Sequence, residues 1–525
     1  MRLRIVGVLL ASVITPISVD AMSDPLPRLA AGPRPLVVAA KEDESDLPVS
    51  REALFASESD VDTGGVANSD APPADAIEAL FGLDPASENA SAGVGPSSSL
   101  ESTSAVSPGQ GVHWRGAIAE TQSPIHGYLQ VELARTFANP EHWSKSLGRL
   151  EVGSSGRFGQ KMRWHASGRV DYNAVYDLTG FYQDQVREDQ RAEFQLRETY
   201  LDFSSGVWDW RLGRQHVVWG EMVGLFFADV VSAKDLREFV LPDFQVLRIP
   251  QWAARAEYFE DEFHAEVVWI PFPSYDRIGK PVDLTKPGAG SDFYPYPPSF
   301  APAILNEDRP STALNHTNFG VRLSQLSHGW DLSGFYYSSM NSAATYYRDP
   351  VTLNTFSPRH DRIWQLGGTL AKDLGDFVLK AEAVYTDGRR YNLVTDLTDA
   401  DGVVKQNNLD WVVGMDFNPS TDVRINTQFF QRYFFQHNAD IIPDKTENGA
   451  SLFVSVDLPG NWKTEALLVH SLNRSDWMFR PKASWAFRQN WKWTFGADLF
   501  GGPPTGLFGQ YDGDDRVYAE VRLDF

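Results

Sequence analysis

The 525-residue chain has no cysteine, which excludes a disulfide framework, a thiolate zinc cluster and thiol catalysis. It is poor in positive charge. Its 47 Lys+Arg against 69 Asp+Glu give a formal net charge of -22, which argues against binding nucleic acid or anionic lipid through bulk charge. Hydrophobic content of 42% with a mean hydropathy of -0.32 leaves no room for a bundle of membrane helices. No zinc-binding His-Glu-x-x-His, phosphate loop or dinucleotide fingerprint occurs. His470-Ser471 lacks the acid partner that a serine hydrolase needs to orient its base. Asp396, Asp399, Asp401 and Gly402 approach a calcium loop but lack its ligand order and closing Glu. Asp512, Asp514 and Asp515 read as solvated loop acids. No catalytic residue, metal or cofactor is expected. What is abundant is aromatic: 13% Phe, Trp and Tyr in a polar chain implies rings that meet both water and lipid.

Three segments differ in composition. Residues 1–21 read as a secretory signal, with Arg2 and Arg4, an apolar stretch from Ile5 to Ile17, and a cleavage site at Val19-Asp20-Ala21. Residues 22–111 hold 15 Asp+Glu against 4 Lys+Arg and are rich in Ser, Ala, Pro and Gly. Such a stretch cannot bury enough apolar surface to offset ordering entropy, so it is expected to be a disordered acidic segment in the periplasm. One island, Asp75 to Leu83, places Ile77, Leu80 and Phe81 on one helical face. It reads as a docking peptide or as a nascent helix that binds nothing.

Residues 112–525 read as the barrel domain, and from about Tyr128 onward polar and apolar side chains alternate in blocks of about ten. In Lys161–Tyr172, Met162, Trp164, Ala166, Val170 and Tyr172 share one face and Arg163, His165, Arg169 and Asp171 the other. Tight turns, such as those at Ser204–Gly206, Glu260–Glu262, Ser327–Gly329 and Pro459–Asn461, alternate with much longer connections. An aromatic follows each tight turn: Trp208, Phe263, Trp330, Phe377, Trp462 and Trp491. These features define an all-β fold, an antiparallel transmembrane barrel of a Gram-negative outer membrane. The count is about 18 strands, the first near His126–Phe137. The run at 112–121 is placed outside the wall. Inward positions carry both signs in balance, for example Arg163, Arg169, Arg255 and Lys380 against Asp171, Glu257, Glu266 and Glu382. Balance favours a lattice of ion pairs over an anion filter.

One connection differs from the rest. Between Arg211 and Pro250 the chain exposes Met222, Leu225, Phe226, Phe227, Val230 and Val231, which is costly in water. Folding inward would bury them and bring Glu221, Asp229, Lys234, Asp235, Arg237 and Glu238 to the lumen charges. Ser232 is expected to cap a helix carrying Leu236, Phe239 and Val240. Arg211, Arg214 and Asp243 complete the candidate lumen residues. Two readings stand: a plug with an apolar lining for a greasy ligand, or a brace for a wide barrel.

The runs Arg211-Leu-Gly-Arg-Gln-His-Val-Val-Trp-Gly-Glu221, Ala228–Phe239 and Arg248-Ile-Pro-Gln-Trp252 resemble a proteobacterial outer-membrane barrel family catalogued as a domain of unknown function. Phe356-Ser-Pro-Arg-His-Asp-Arg362, Asp440–Asp444 and Gly502-Pro-Pro-Thr-Gly506 resemble it too. The resemblance covers about Trp114 to Phe525. It implies company with RND-type exporters and a periplasmic lipid carrier, hence traffic in lipids or hydrophobic compounds. The terminal Phe525 resembles the signal read by the barrel-assembly machinery. Alternative functions are an open diffusion porin for small polar solutes and a platform for periplasmic partners.

Overall fold

The computed structural model describes residues 125–525 except 160, 221, 223–227, 296–302, 353–354, 395 and 397. The leader, the acidic segment, the Asp75–Leu83 island and the run at 112–121 lie outside the described residues.

Eighteen antiparallel strands close on themselves. In chain order they are β1 (Ile125–Thr136), β2 (His142–Phe158), β3 (Met162–Asn173), β4 (Ala192–Ser205), β5 (Trp208–Gln215) and β6 (Gln251–Glu260). Then come β7 (Phe263–Phe272), β8 (Asn318–Ser327), β9 (Trp330–Met340), β10 (Arg362–Asp373), β11 (Val378–Asp387) and β12 (Asn408–Ser420). The last six are β13 (Val423–Phe434), β14 (Thr446–Leu458), β15 (Trp462–Ser471), β16 (Trp477–Arg488), β17 (Trp491–Gly501) and β18 (Arg516–Asp524). Each pairs with its sequence neighbour, and β18 returns to β1 with Leu523 opposite Leu129. The seam is tied off by Phe525, whose N–H and C=O both bond Gly127 at 2.8 Å.

Alternation sorts the wall into two surfaces. On β1, Leu129, Val131 and Leu133 are each more than 40% exposed, while Gln130 and Glu132 between them are buried. Leucines face out and carboxylates face in, the reverse of a soluble barrel and the arrangement a lipid solvent selects. No helix among the described residues is long and apolar enough to cross a membrane. At one end all connections are tight, from two residues between Ser205 and Trp208 to four between Asp373 and Val378. A band of rings marks that end: Trp462 stacks on Trp485 at 5.3 Å, and Phe377 meets Phe417 at 5.7 Å. At the other end the connections run from five residues, at 137–141 and 472–476, to 45 at 273–317, and the longer ones fold on one another. The chain is a transmembrane β-barrel of the outer-membrane type.

The long connections are knit by the motifs singled out above. His360 bonds Glu307 at 2.7 Å and the Asn341 carbonyl at 2.8 Å, and Asp361 takes the Tyr347 hydroxyl and Arg390. Ile441 packs with Tyr391, Leu393 and Phe434. Asp476 accepts the Phe508 N–H at 2.7 Å and sits against Gly502 and Gly506, where a Cβ would come within 2.6 Å of it. In the loop that approached a calcium site, the Arg348 guanidinium donates to the carbonyls of Asp396 and Asp399. Asp515 is a structural group and not a solvated acid: it accepts the Phe500 N–H at 2.7 Å.

Candidate functional site: a segment seated across the lumen

The connection between β5 and β6, residues 216–250, leaves the wall at Gln215 and runs inside it. Its contacts touch strands from nearly every quarter of the barrel. Trp219 is fully buried and donates from Nε1 to Glu266 of β7 at 3.0 Å. Its ring meets Phe335 and Tyr337 of β9 at 5.2 and 5.7 Å. Across the lumen, Glu382 of β11 accepts the backbone N–H of Met222 at 3.0 Å and of Ala228 at 3.1 Å. Arg480 of β16 donates to the Leu241 carbonyl at 2.7 Å. Glu238 pairs with Lys145 of β2 at 2.7 Å and Arg516 of β18 at 3.4 Å. Arg197 of β4 donates to the carbonyls of Gln245 and Arg248.

The wall is shaped to receive it. Gly320 of β8 and Gly414 of β12 occupy inward positions. A Cβ at Gly320 would lie 2.5 Å from Trp219 Cη2, and one at Gly414 would lie 2.8 Å from Met222 Cε. The large side chains of the segment therefore enter recesses made by missing side chains. Phe239 adopts φ 55°, a left-handed conformation that costs a bulky residue about 1–3 kcal/mol. Its ring is held at 4.8 Å from Tyr511, with Phe500 and Phe508 next to it.

The lumen wall has two unlike halves. From β9 to β17 a mid-depth band of inward apolar side chains, among them Phe335, Val384, Val412, Phe430, Leu467 and Met478, forms one cluster with the segment's Trp219, Met222, Val231 and Leu236. From β1 to β6 the inward face is charged and paired. Arg149 and Arg169 share Asp171, Arg163 and Arg211 share Asp202, and Arg255 pairs Glu257 at 2.9 Å. Near the tight-turn end of the apolar half the lattice resumes, with Lys463 and Lys482 on Glu465. Two small polar cavities flank the segment. One of about 50 Å³, toward the tight-turn end, is bounded by Asp243, Lys492, Thr494 and Glu520. The other, about 80 Å³ on the long-loop side, is bounded by Asp229, Ser232, Asp276 and Asp410.

Of the residues expected here, Glu221, Phe226 and Phe227 lie outside the described residues. Met222 is buried against the wall. Arg211 belongs to the wall itself, 2.7 Å from Asp202 and over the Tyr200 ring at 3.9 Å. Arg237 and Glu238 reach wall charges, Arg237 through Glu193 at 2.6 Å. Asp229 and Lys234 instead pair within the segment: Asp229 holds Arg248 at 2.9 Å, and Lys234 Nζ donates to the carbonyls of Asp229 and Ser232. Asp235 pairs Arg237 and the neighbouring connection's Arg277. Burial alone would raise the Asp235 carboxyl, but Arg237 and Arg277 hold it well below the usual range.

Two expectations are corrected. Arg214 does not enter the lumen: it stands opposite Thr199 and Trp252 and shares the outward face with Leu212, because Gln215 is the inward residue of that pair. Residues 232–240 are not helical. Ala233–Lys234 bridges Arg248–Ile249, and the Ser232 hydroxyl bonds the Val217 carbonyl and not a helix N-terminus. The short helix is Phe244–Leu247. Glu382 stood among the inward acids, but its clamp on the segment was not foreseen, nor were the two glycine recesses. Gly320 and Gly414 carried a signal, since each is a glycine at an inward position of an otherwise well-formed strand.

The family model described as "Protein of unknown function (DUF1302)" matches residues 154–525, and the chain belongs to that family. A search of curated protein sequences gives no match. Solved structures similar to it include Acinetobacter baumannii OccAB1, with 10% identity and a TM-score of 0.46 over 76% of this chain and 95% of that one. Acinetobacter baumannii OccAB4 gives 10% identity and 0.44 over 76% and 97%. Pseudomonas aeruginosa OccK2 (OpdF) in complex with glucuronate gives 10% identity and 0.44 over 77% and 97%.

Proposed function

We propose that this barrel is a plugged outer-membrane conduit for hydrophobic or amphipathic compounds, with residues 216–250 as the plug. The observation that carries this reading is the apolar band facing the segment. A water-filled pore gains nothing from Phe335, Val384, Phe430 and Leu467 at mid-depth, whereas a greasy passage does once the segment withdraws. In this reading the tight turns face the periplasm with residues 22–111, within reach of a periplasmic lipid carrier and an RND-type exporter. Outer-membrane lipids surround the wall, and the barrel-assembly machinery reads Phe525.

The test is planar-bilayer conductance of the intact protein and of a variant with residues 220–243 replaced by a short Gly/Ser link. Silence in the intact protein and large steps in the variant support a plug; steady conductance in both returns the reading to a diffusion porin. A platform role predicts that deleting residues 22–111 loses periplasmic partners in a pull-down while the barrel's own conductance is unchanged.

A further inference from the structure

The wall steps down where the segment leaves it. β4 has 14 residues and β5 only 8. β5 pairs with β4 from Ser205 to Thr199 and then turns inward after Gln215. β6 does not fill the gap, because it begins at Gln251, directly opposite Gln215. The outer half of β4, Ala192–Glu198, is therefore bonded to β3 on one side and has no ladder partner on the other among the described residues. Its outward side chains, Phe194 at 70% and Leu196 at 36% exposure, continue the lipid-facing belt of their β3 neighbour Val170. A bare strand edge is costly in lipid, where its N–H and C=O groups find no water. Something must cover it.

Beside that edge lie cations with unused donors. Arg169 of β3 and Arg197 of β4 have side chains only 2% and 4% exposed. Arg169 Nη1, Arg197 Nε, Arg214 Nε and His216 Nδ1 are buried without a hydrogen bond among the described residues. The carboxylates beside them are shared or distant: Asp171 also serves Arg149, Glu198 accepts the His216 backbone N–H at 2.8 Å, and Glu151 is 3.9 Å from Arg197. His216 stays neutral because burial, and then Arg197, Arg248, Arg214 and Arg169 around it, oppose its charge. Buried guanidinium donors without acceptors are expensive, and an anionic oxygen is the group that satisfies them.

We propose that this step is a lateral window that holds an amphipathic anion, its carboxylate or phosphate head on Arg169, Arg197 and Arg214 and its acyl chain along Phe194 and Leu196 on the bare edge of β4. The window rests on the conduit reading for its purpose and supplies that reading with a substrate class. Glu193, held by Arg237 and Arg277, closes the inner side of the same edge. A ligand in the window thus lies next to the ion pairs that seat the plug.

The absence of cysteine makes the test direct. Leu196→Cys carrying bimane reports the window, and Leu366→Cys on the outward face of β10, 55% exposed, serves as reference. The full chain is reconstituted in phosphatidylcholine vesicles and titrated with dibromostearate, dibrominated phosphatidic acid or dibrominated phosphatidylcholine. At Leu196→Cys, one or both anions should quench at mole fractions about fivefold below phosphatidylcholine, and Arg214→Gln or Arg197→Gln should weaken that preference about threefold. Quenching by stearate alone assigns a carboxylate head and by phosphatidate alone a phosphate head; either supports the window. Equal quenching by all three lipids, or a preference untouched by Arg214→Gln in a barrel that still shows the heat-modifiable mobility of the folded form, overturns it. The readout is binding and not conduction, so it can succeed where the plug deletion fails, and the reverse.

Discussion

The two halves of the lumen wall hold the same segment by different physics. The charged half, β1 to β6, grips it with ion pairs such as Glu238 on Lys145 and Arg237 on Glu193. The apolar half, β9 to β17, grips it by area and by shape, with Glu382 and Arg480 as charged clamps on its backbone. Apolar burial is insensitive to salt and pH, and a buried charged network is sensitive to both. If the segment is the plug proposed above, the apolar side sets how firmly it sits and the charged side sets when it lets go.

The comparison breaks most visibly at Glu382. Replacing it with Ala leaves the N–H groups of Met222 and Ala228 buried without an acceptor. Hydrogen bonds to a charged group are worth about 1.5–3 kcal/mol each, so the seated state should weaken by roughly a hundredfold or more. The expected outcome is frequent open steps in single-channel records; a record as silent as the parent's would show that the clamp is dispensable. Removing Arg516 of β18, at the seam between the halves, tests the ionic grip. Asp498 and Glu238 lose a partner they share, and stripping one member of a buried pair costs about 3–5 kcal/mol. Arg516→Gln should lower the temperature of the heat-modifiability transition, with Arg516→Lys recovering part of the loss.

A smaller effect is expected from filling the recesses. Gly320→Ala and Gly414→Ala crowd Trp219 and Met222, and overpacking costs about 1–3 kcal/mol. Both should raise open probability without changing the barrel's thermal transition; a lowered transition would place the glycines in wall assembly instead. Acid gives the mildest and most graded release. His216 is held neutral when seated, so its contribution is complete above its free value of about 6.5 and declines below it, by about 1.4 kcal/mol per pH unit. Glu238 and Asp235 are held below their free values near 4, so their contributions survive until pH falls beneath about 4. Open probability should rise in two stages, and His216→Asn should remove the first.

How legible this was in the sequence depended on period. Alternation with period two placed Leu129 outward and Glu132 inward, fixed the strand count and located the tight turns, because a register slip would put every leucine in water. It also marked 211–250 as unable to remain exposed. It did not fix the path of that segment, whose contacts join residues far apart in the chain: Met222 to Glu382, and Leu241 to Arg480. The Ser232 helix failed for the same reason. Its apolar residues have helical spacing, but Phe239 is placed by Phe500, Phe508 and Tyr511 and the chain before it by the bridge at Ala233–Lys234. Arg214 failed because one residue of register decides between lumen and lipid.

The Glu382 clamp has a consequence for biogenesis. Met222 and Ala228 are made some 150 residues before the carboxylate that pins them. The segment has no complete seat until both β11 and β18 have joined the wall. Closing so long a loop is slow compared with pairing adjacent hairpins. On the plugged-conduit reading, a freshly closed wall is therefore expected to precede the seating of its plug.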